Sequence, residues 1–548
     1  MTLTTFQGAT GNSSFTAKAK SVQERLESSI PDYLRLPASI LKNLPLDVTG
    51  IPESCGLLTS SELAITELDA TTICQRIARG ELSSVETVTA FGKRAAIAHQ
   101  LTACLTDFFL EEGIAQAQEL DAYYKREGKV IGPLHGLPIS IKDFIPVKGR
   151  WLSAGFIGTL QVSEDDCDMT SILRQLGAVF YVKTNQPQGK MTMECHSFYA
   201  RTVNPYNSKL SSGGSSGGEG ALIALKGSCI GVGTDVGGSI RGPSAFCGIY
   251  GIRPTSLTTP MGGYVSSPAG QDGVHGSTGP MCRSAQDMAM FLHALSGADP
   301  YLLDPSLMPL SFDLPDLTQR KLRVGIMVHD QWITPHPPML RALRMAREKL
   351  IAAPNVEVVE FEPYKHIYGY NLAVEMFFED DGKTFGDMLE EGGEDATPLT
   401  EWIIQASPAI KDHDAIEMWN LHDKRDSFRR AYSDHWNRTG CDVVLCPPYP
   451  GVASQHDTAK YWGYTTIWNV LDYPGTVFPT GLTADPAIDV VPTSFISMSD
   501  ADLEHHQLYA KDPQVYAGAP IALQLVTKRF GDGFLLAAQR IVEEIIKN

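Results

Sequence analysis

Three polar residues lie where nucleophilic catalysis could occur. Lys142 ends an apolar stretch, Ser215 lies in the glycine-rich stretch SSGGSSGGEG, and Ser239 lies in TDVGGSIRGP. A serine hydroxyl is a weak nucleophile until a base removes its proton. Lysine can act as that base once burial lowers its pKa, and Ser–Lys pairs are a known variant of the Ser–His–Asp arrangement. These residue types indicate a serine hydrolase.

The glycine-rich stretch 211–220 allows three interpretations. Its composition is typical of a flexible linker, and a glycine-rich turn before a helix can also bind phosphate. Residues 213–217 match the G-x-S-x-G nucleophile elbow, which would make Ser215 the nucleophile of an α/β-hydrolase. Strand-like and helix-like apolar segments flank the stretch without a change of composition, which disfavours the linker. The elbow interpretation leaves the motif at Ser239 unused.

The residues before Ser239 favour an oxyanion hole. Val236, Gly237 and Gly238 immediately precede this serine. Glycine lets backbone amides approach a substrate closely, and such amides stabilise a developing oxyanion. The simpler alternative is a tight turn in which Ser239 is a helix N-cap. Lys142 also has a simpler alternative, as a solvated lysine at the end of a strand.

Strand and helix patterns alternate along the chain. Apolar residues at every second position of 137–141 predict a strand that ends at Lys142, and a helix over 169–178 leads into a strand over 179–185. The capping box at 83–86 predicts the start of a helix. Strands alternating with helices predict an α/β sandwich.

The chain divides into a short N-terminal segment and one large domain. Residues 1–60 are polar and interrupted by prolines, which predicts a strap of short helices and extended chain. Residues 61–548 are predicted to form a single domain with a core over about 130–290. The less patterned region over about 300–420 is interpreted as an elaboration of that domain.

Composition excludes several functional classes. The 548 residues carry a net charge of −18 with no run of Lys or Arg, which argues against nucleic acid as a partner. The sequence contains no stretch of about 18 apolar residues, so no transmembrane segment is predicted. The N-terminus lacks the apolar core of a secretory signal. The ten cysteines include no CxxC pair, which favours reduced thiols and a cytoplasmic location. No HExxH or Cys/His cluster with metal-ligand spacing is present, so a metal-dependent hydrolase is not expected.

In the segments around these residues the chain resembles the amidase signature family. Residues 213–243 resemble its defining segment, and GLPISIKD resembles the segment that carries its lysine. Further similar segments are RTVNPYN (201–207), GPMCRSAQD (279–287), LDYPGTVFPTG (471–481) and GAPIALQLV (518–526). Within the family, the chain is similar to fungal acetamidase-type amidases. Around the signature it is also similar to fatty acid amide hydrolases.

The resemblance implies a role for each site residue. Ser239 matches the nucleophile, Ser215 the middle member of the triad, which follows a cis peptide bond in that family, and Lys142 the base. The amides of residues 236–239 match the oxyanion hole. The remaining matched positions are Gly214 at the substrate pocket and Ser216, Asp235 and Arg241 as supporting residues.

The resemblance also implies a fold and an activity. The fold is a single large α/β/α sandwich with a mixed central β-sheet. The activity is hydrolysis of a small carboxylic acid amide to the acid and ammonia or an amine, through an acyl-enzyme on Ser239 and without a cofactor. Three alternatives stay open: acyl transfer or ester hydrolysis by the same residues, a subunit of an amidotransferase-like enzyme, and a binding protein on an amidase scaffold. A homodimer is also left open.

Lys190 departs from the pattern of the similar proteins. It replaces an apolar residue on a segment that lines their acyl pocket. This replacement predicts that the substrate pocket favours a polar or anionic amide. The alternative is that the Lys190 ammonium reaches solvent while its alkyl chain stays buried.

Overall fold

A computed structural model describes residues 7–265 and 270–548. Fifteen strands are found in these residues. They are β1 Leu105–Phe108, β2 Pro138–Lys142, β3 Trp151–Leu152, β4 Gln161–Val162, β5 Val179–Thr184, β6 Val203–Asn204, β7 Asn207–Ser211, β8 Ile230–Asp235, β9 Tyr250–Arg253, β10 Ser277–Cys282, β11 Leu322–Ile326, β12 Val356–Glu360, β13 Val443–Cys446, β14 Gly475–Thr483 and β15 Pro520–Val526.

Eleven of these strands form one central sheet. Their order is β1-β5-β2-β8-β10-β9-β14-β15-β13-β11-β12, and two short hairpin sheets, β3-β4 and β6-β7, lie apart from it. Parallel pairs join β2 to β5 and β8, and β11 to β12 and β13. The other neighbours are antiparallel. The predicted mixed central sheet of an α/β fold is therefore confirmed.

Helices flank this sheet. In the part of the chain described here they are α1 Ser13–Ser29, α2 Ala38–Leu41, α3 Ile51–Ser54, α4 Ser60–Glu67, α5 Ala70–Ala78, α6 Ser84–Thr102, α7 Leu110–Glu127, α8 Asp168–Gln175, α9 Gly217–Ala224, α10 Arg241–Phe246, α11 Ala285–Ser296, α12 Pro337–Ala352, α13 His366–Phe377, α14 Lys383–Gly392, α15 Pro398–Ile403, α16 Ala415–Thr439, α17 Gly463–Leu471, α18 Asp500–Lys511 and α19 Asp532–Lys547.

Local sequence signals explain several of these boundaries. The predicted capping box is present at the start of α6, where the Ser83 hydroxyl accepts from the amide of Glu86 and the Glu86 carboxylate accepts from the amide of Ser83. Helix α1 is 17 residues long, whereas only short helices were expected before residue 60. The Asn12 side chain caps it, and Phe15 and Leu26 are buried. Capping and a buried face stabilise a helix that the proline content does not predict.

The region 300–420 contributes to the central sheet. Strands β11 and β12 form one edge of it and continue through β13 into the rest of the sheet. Within residues 7–265 and 270–548, no helix combines the length and the apolar character that crossing a bilayer requires.

The sheet topology brings the ends of two strands together. Strands β2 and β8 are parallel neighbours, with Ile139 opposite Ile230 and Ile141 opposite Val232. The carboxyl ends of adjacent parallel strands lie at the same edge of a sheet, where open α/β sheets bind ligands. Lys142 ends β2 and Asp235 ends β8, and helix α9 packs against both strands. This edge of the sheet holds the candidate site.

Candidate active site

Lys142 and Ser215 are in direct contact at this edge. The Lys142 Nζ donates a hydrogen bond to the Ser215 Oγ over 2.6 Å and a second to the Thr234 Oγ1 over 3.2 Å. Lys142 is fully buried, and Ser215 is 1% exposed. Lys142 is therefore not a solvated lysine at a strand end. The peptide bond between Gly214 and Ser215 is cis, as the resemblance implied.

Burial changes the protonation of Lys142. Desolvation, followed by the positive charge of Lys190, lowers the pKa of Lys142 to about 7. Both effects disfavour the ammonium form, because one removes water from the charge and the other places a like charge nearby. The lysine can therefore be neutral near neutral pH, which a proton-accepting role requires.

Ser239 opens onto the same cavity as the Lys142–Ser215 pair. The cavity has a volume of about 290 Å³, and Ser215, Ser239, Val236, Lys190 and Phe144 are among its lining residues. Among the described residues, no hydrogen bond joins the hydroxyls of Ser215 and Ser239. Catalytic hydrogen bonds in unliganded sites are often long and tighten only when substrate is bound. Ser239 does not cap α10, since Ile240 occupies the N-cap position.

The backbone before Ser239 differs in one respect from the predicted oxyanion hole. The Gly238 amide donates to the Asp235 Oδ1 over 2.8 Å, so it is engaged within the loop. The amides of Val236, Gly237 and Ser239 have no acceptor among the hydrogen bonds of the described residues. Of the four predicted amides, these three are free to bind an oxyanion, and Gly238 instead fixes the loop that presents them.

A buried ion pair holds this loop. Burial alone would raise the pKa of Asp235, but the Arg241 guanidinium keeps it well below its usual range. The Arg241 Nη2 lies 3.0 Å from the Asp235 Oδ1, and both side chains are inaccessible to solvent. Arg241 also donates to the side chains of Asn469 and Gln524 and to the Thr465 carbonyl. Asp235 and Arg241 thus lie at the two ends of the loop that carries Ser239, and their supporting role stays a prediction.

Ser216 and Gly214 complete the contacts around Ser215. The Ser216 amide donates to the Ser239 carbonyl over 3.1 Å, which links the two serine motifs through the backbone. A Cβ at Gly214 would lie 2.2 Å from the Thr192 carbonyl oxygen, so only glycine fits there. Gly214 also lines a small pocket beside Ser239. Both residues therefore lie beside Ser215 and Ser239, and the roles that the resemblance implied for them stay predictions.

Lys190 lies inside the cavity that Ser215 and Ser239 line. Its Nζ is 4.3 Å from the centroid of the Phe144 ring and donates to the Val265 carbonyl over 3.1 Å. Desolvation lowers the pKa of Lys190 to about 8. The ammonium group therefore contacts the cavity wall, while the Lys190 side chain as a whole is partly buried.

Four residues near the site were missed by the sequence analysis. Thr234 accepts from Lys142, and the hydroxyls of Thr465 and Thr466 donate to the Gly237 carbonyl over 2.7 and 2.8 Å. Glu219 is fully buried on α9 and accepts from Ser140 and Thr184. The carboxylate within the apolar segment GGEGALIA was a sequence signal for Glu219. No sequence signal pairs Thr465 and Thr466 with Gly237, which lies more than 220 positions away.

A cluster of metal-ligand type lies elsewhere. Ligand atoms of Glu194, His196 and Asp457 lie within 4.8 Å of one another. The Arg201 guanidinium contacts the Asp457 carboxylate at 2.9 Å and the His196 Nδ1 at 3.1 Å. A guanidinium among these groups already compensates their negative charge, so they form an ion-pair cluster.

Comparisons with known proteins identify the family to which the sequence is similar. The sequence model of the family described as Amidase matches residues 86–536. The chain is 38% identical to an acetamidase of Aspergillus oryzae, over 95% of this chain and 97% of that protein. It is 37% identical to an acetamidase of Emericella nidulans, over 96% of this chain and 97% of that protein.

A solved structure is also similar over nearly the whole chain. The structure described as fatty acid amide hydrolase has a TM-score of 0.93 and 36% sequence identity, and the match covers 98% of this chain and 97% of that one. The resemblance found in the sequence is therefore confirmed, both for the family and for the two kinds of relative.

Proposed function

Because the chain belongs to the amidase family, we propose that Ser239 is the nucleophile with which it hydrolyses a carboxylic acid amide. The family model and the two acetamidase relatives support amide hydrolysis as the activity of this chain. The assignment of roles rests on one observation, the buried contact between the Lys142 Nζ and the Ser215 Oγ beside Ser239. A lysine in that contact can take a proton from Ser215 as Ser215 takes one from Ser239.

The first half of the reaction forms the acyl-enzyme. The Ser239 Oγ attacks the carbonyl carbon while its proton passes to Ser215 and the Ser215 proton passes to neutral Lys142. The free amides of Val236, Gly237 and Ser239 stabilise the resulting oxyanion. The proton then returns along the same path to the leaving nitrogen, and the C–N bond breaks. This return matters because an amine is a poor leaving group until it is protonated.

The second half repeats these steps with water. Water attacks the acyl carbon, its proton passes through Ser215 to Lys142, and the Ser239 Oγ leaves with that proton. The products are the carboxylic acid and ammonia or an amine. Esters and other acyl acceptors would use the same acyl-enzyme, so product analysis distinguishes hydrolysis from transfer to an added amine.

The substrate is a small molecule. The cellular location of the protein is proposed from the state of its cysteines. All ten cysteines are free, and eight of them are buried. A reducing compartment keeps thiols in this state, which supports the cytoplasmic location predicted from the sequence. Cell fractionation tests the location, and sedimentation of the purified chain tests whether it forms the homodimer that the sequence left open.

The proposal is tested by measuring ammonia and acid release from a panel of primary amides. Wild-type protein is compared with Ser239→Ala and with Ser61→Ala, an exposed serine on α4. We expect Ser61→Ala to match wild type and Ser239→Ala to lose turnover by at least about 10³-fold, the scale seen when an activated nucleophile is removed. Full turnover in a folded Ser239→Ala protein would exclude Ser239 as the nucleophile.

A further inference from the structure

Lys190 presents an ammonium group to the cavity next to the nucleophile. Lys190 and Ser239 both line this cavity, together with Phe144, Val236 and Ser215. The cavity is large enough for a small amide and brings the ammonium group within reach of the same bound molecule as Ser239. The question is which group of that molecule it meets.

Few polar groups of the described residues compensate the positive charge of the Lys190 ammonium. An ammonium has three N–H donors, and in the described residues the Lys190 Nζ uses one of them, to the Val265 carbonyl over 3.1 Å. The Phe144 ring adds a cation–π contact. No ion pair of the described residues includes Lys190. Residues 266–269, which follow Val265, are Ser, Ser, Pro and Ala, so they supply no carboxylate either.

The two carboxylates that line the cavity have other partners. Asp235 is paired with Arg241 at 3.0 Å. The Asp304 Oδ1 accepts from the amide and hydroxyl of Ser306, and its Oδ2 accepts from the amide of Met261. Desolvating a charge without a counter-charge is costly. An anion that binds in the cavity would therefore lower the free energy of this ammonium.

We propose that Lys190 binds an anionic group of the substrate, so that the preferred substrate is an amide that also carries a carboxylate. This inference rests on the proposed function, because it takes the cavity beside Ser239 as the substrate site. A carboxylate can accept from the two N–H donors that have no acceptor among the described residues, in charge-assisted hydrogen bonds. Lys190 is in this respect a specificity-determining residue.

A second effect of Lys190 has to be separated from this one. The positive charge of Lys190 contributes to the lowered pKa of the Lys142 base. That contribution acts on every substrate, charged or neutral. A recognition role instead changes the ratio between carboxylated and neutral amides, and this ratio is the quantity to measure.

The experiment compares matched amides on the full-length protein. Glutaramate and adipamate carry the carboxylate on the acyl chain, N-acetyl-β-alanine carries it on the amine side, and pentanamide, hexanamide and N-propylacetamide are the uncharged counterparts. The variants are Lys190→Met, which removes the charge at similar length, Lys190→Arg, which keeps it, and Lys209→Met, which removes an exposed lysine outside the cavity.

We expect wild type to favour the carboxylated member of at least one pair in kcat/KM. Lys190→Met should reduce that preference by about 10- to 100-fold, the range for a hydrogen bond to a charged group. Lys190→Arg should retain most of it, and Lys209→Met should retain all of it. A preference that is unchanged in Lys190→Met, or a wild type that favours every neutral amide, would overturn the proposal.

Binding measurements keep this test separate from the proposed function. Calorimetry with Ser239→Ala and the combined Ser239→Ala/Lys190→Met protein measures affinity for glutaramate, adipamate and N-acetyl-β-alanine without turnover. Weaker binding to the combined variant supports the role of Lys190 even where no amide is hydrolysed, a result that would contradict the proposed function alone. Equal affinity for both proteins would contradict the role of Lys190, whatever the activity assays show.

Discussion

The ammonium nitrogen of Lys142 lies 2.6 Å from the hydroxyl of Ser215, although the two residues are 73 positions apart in the chain. Parallel pairing of β2 with β8 sets the position of Lys142, and the turn before α9 sets that of Ser215. Neither side chain has access to bulk water, so a proton transferred between them stays within the site. This contact is the basis of the mechanism and of the predictions below.

Removing the lysine should stop catalysis without unfolding the protein. Lys142→Met removes the base, and we expect kcat to fall by about 10²- to 10⁴-fold, the contribution typical of general base catalysis. Circular dichroism and thermal melting check the fold, and steady-state kinetics measure the loss.

A matched control is Lys183→Met, which replaces another fully buried lysine, on the neighbouring strand β5. Lys183 donates to the Trp151 carbonyl and lies near the buried Asp143. We expect this variant to lose stability, because Asp143 loses a counter-charge, while kcat of the folded protein changes much less than in Lys142→Met. Equal losses of kcat in the two folded variants would contradict a specific role for Lys142.

The activity should require an unprotonated lysine. The pKa of Lys142 is lowered to about 7. The proposed mechanism uses its neutral form as the base. With increasing pH, kcat/KM for a neutral amide should therefore rise through about pH 7 and reach a plateau at higher pH. A profile that is flat from pH 5 to pH 9 would show that no such base limits the reaction.

Two charge variants should move this profile in opposite directions. Lys190→Met removes a positive charge that lowers the pKa of Lys142, so the acid limb should shift to higher pH. Glu219→Gln removes a carboxylate that favours the ammonium form of Lys142, so the limb should shift to lower pH. This shift should be the smaller of the two, because burial raises the pKa of Glu219 to about 7 and the carboxyl is partly protonated on this limb. The other groups that act on Lys142 are Cys195 and Asp235, and both variants leave them in place. Shifts in the same direction would contradict this electrostatic account.

Gly237 should tolerate no side chain. A Cβ at this position would lie 2.6 Å from the Trp462 ring, so Gly237→Ala should displace the loop that presents the free amides. We expect kcat to fall by about 10²- to 10³-fold, as when an oxyanion-hole donor is lost. Gly386→Ala on α14 is the control, because a Cβ there meets no atom within 4 Å. An active Gly237→Ala protein would exclude this loop as the oxyanion hole.

The Asp235–Arg241 pair should stabilise the whole fold. Arg241→Met leaves the Asp235 carboxylate buried without its counter-charge, and we expect a loss of about 3–5 kcal/mol in the free energy of unfolding. The exposed pair of Lys20 and Glu24 gives the comparison, since Lys20→Met should cost less than about 1 kcal/mol. Urea unfolding measures both values. Similar values for the two variants would show that the buried pair does not hold the structure.

Much of the candidate site could be predicted from the sequence because its motifs are local. The strand that ends at Lys142 and the capping box of α6 follow from residues close together in the chain, and both are present. The contacts of Thr465 and Thr466 with Gly237 depend on how α17 packs against the loop after β8, and no local pattern encodes that packing. The engagement of the Gly238 amide by Asp235 was also hidden, because backbone direction decides it.

The location of Lys190 shows the same limit. Its residue type suggested a polar or anionic substrate, but the sequence favoured a solvent-directed ammonium. The side chain lies over Phe144 within the cavity, and this depends on residues 46 positions away. Resemblance to a family predicts the triad positions, whereas the contacts of Lys190 follow only from how this chain folds.

Labelling of the nucleophile tests the central claim most directly. The protein is treated with a fluorophosphonate and the adduct is located by peptide mass spectrometry, in wild type and in Lys142→Ala. The account predicts one adduct, on Ser239, that forms much more slowly in the lysine variant. An adduct on Ser215, or no adduct on a folded wild-type protein, would contradict it.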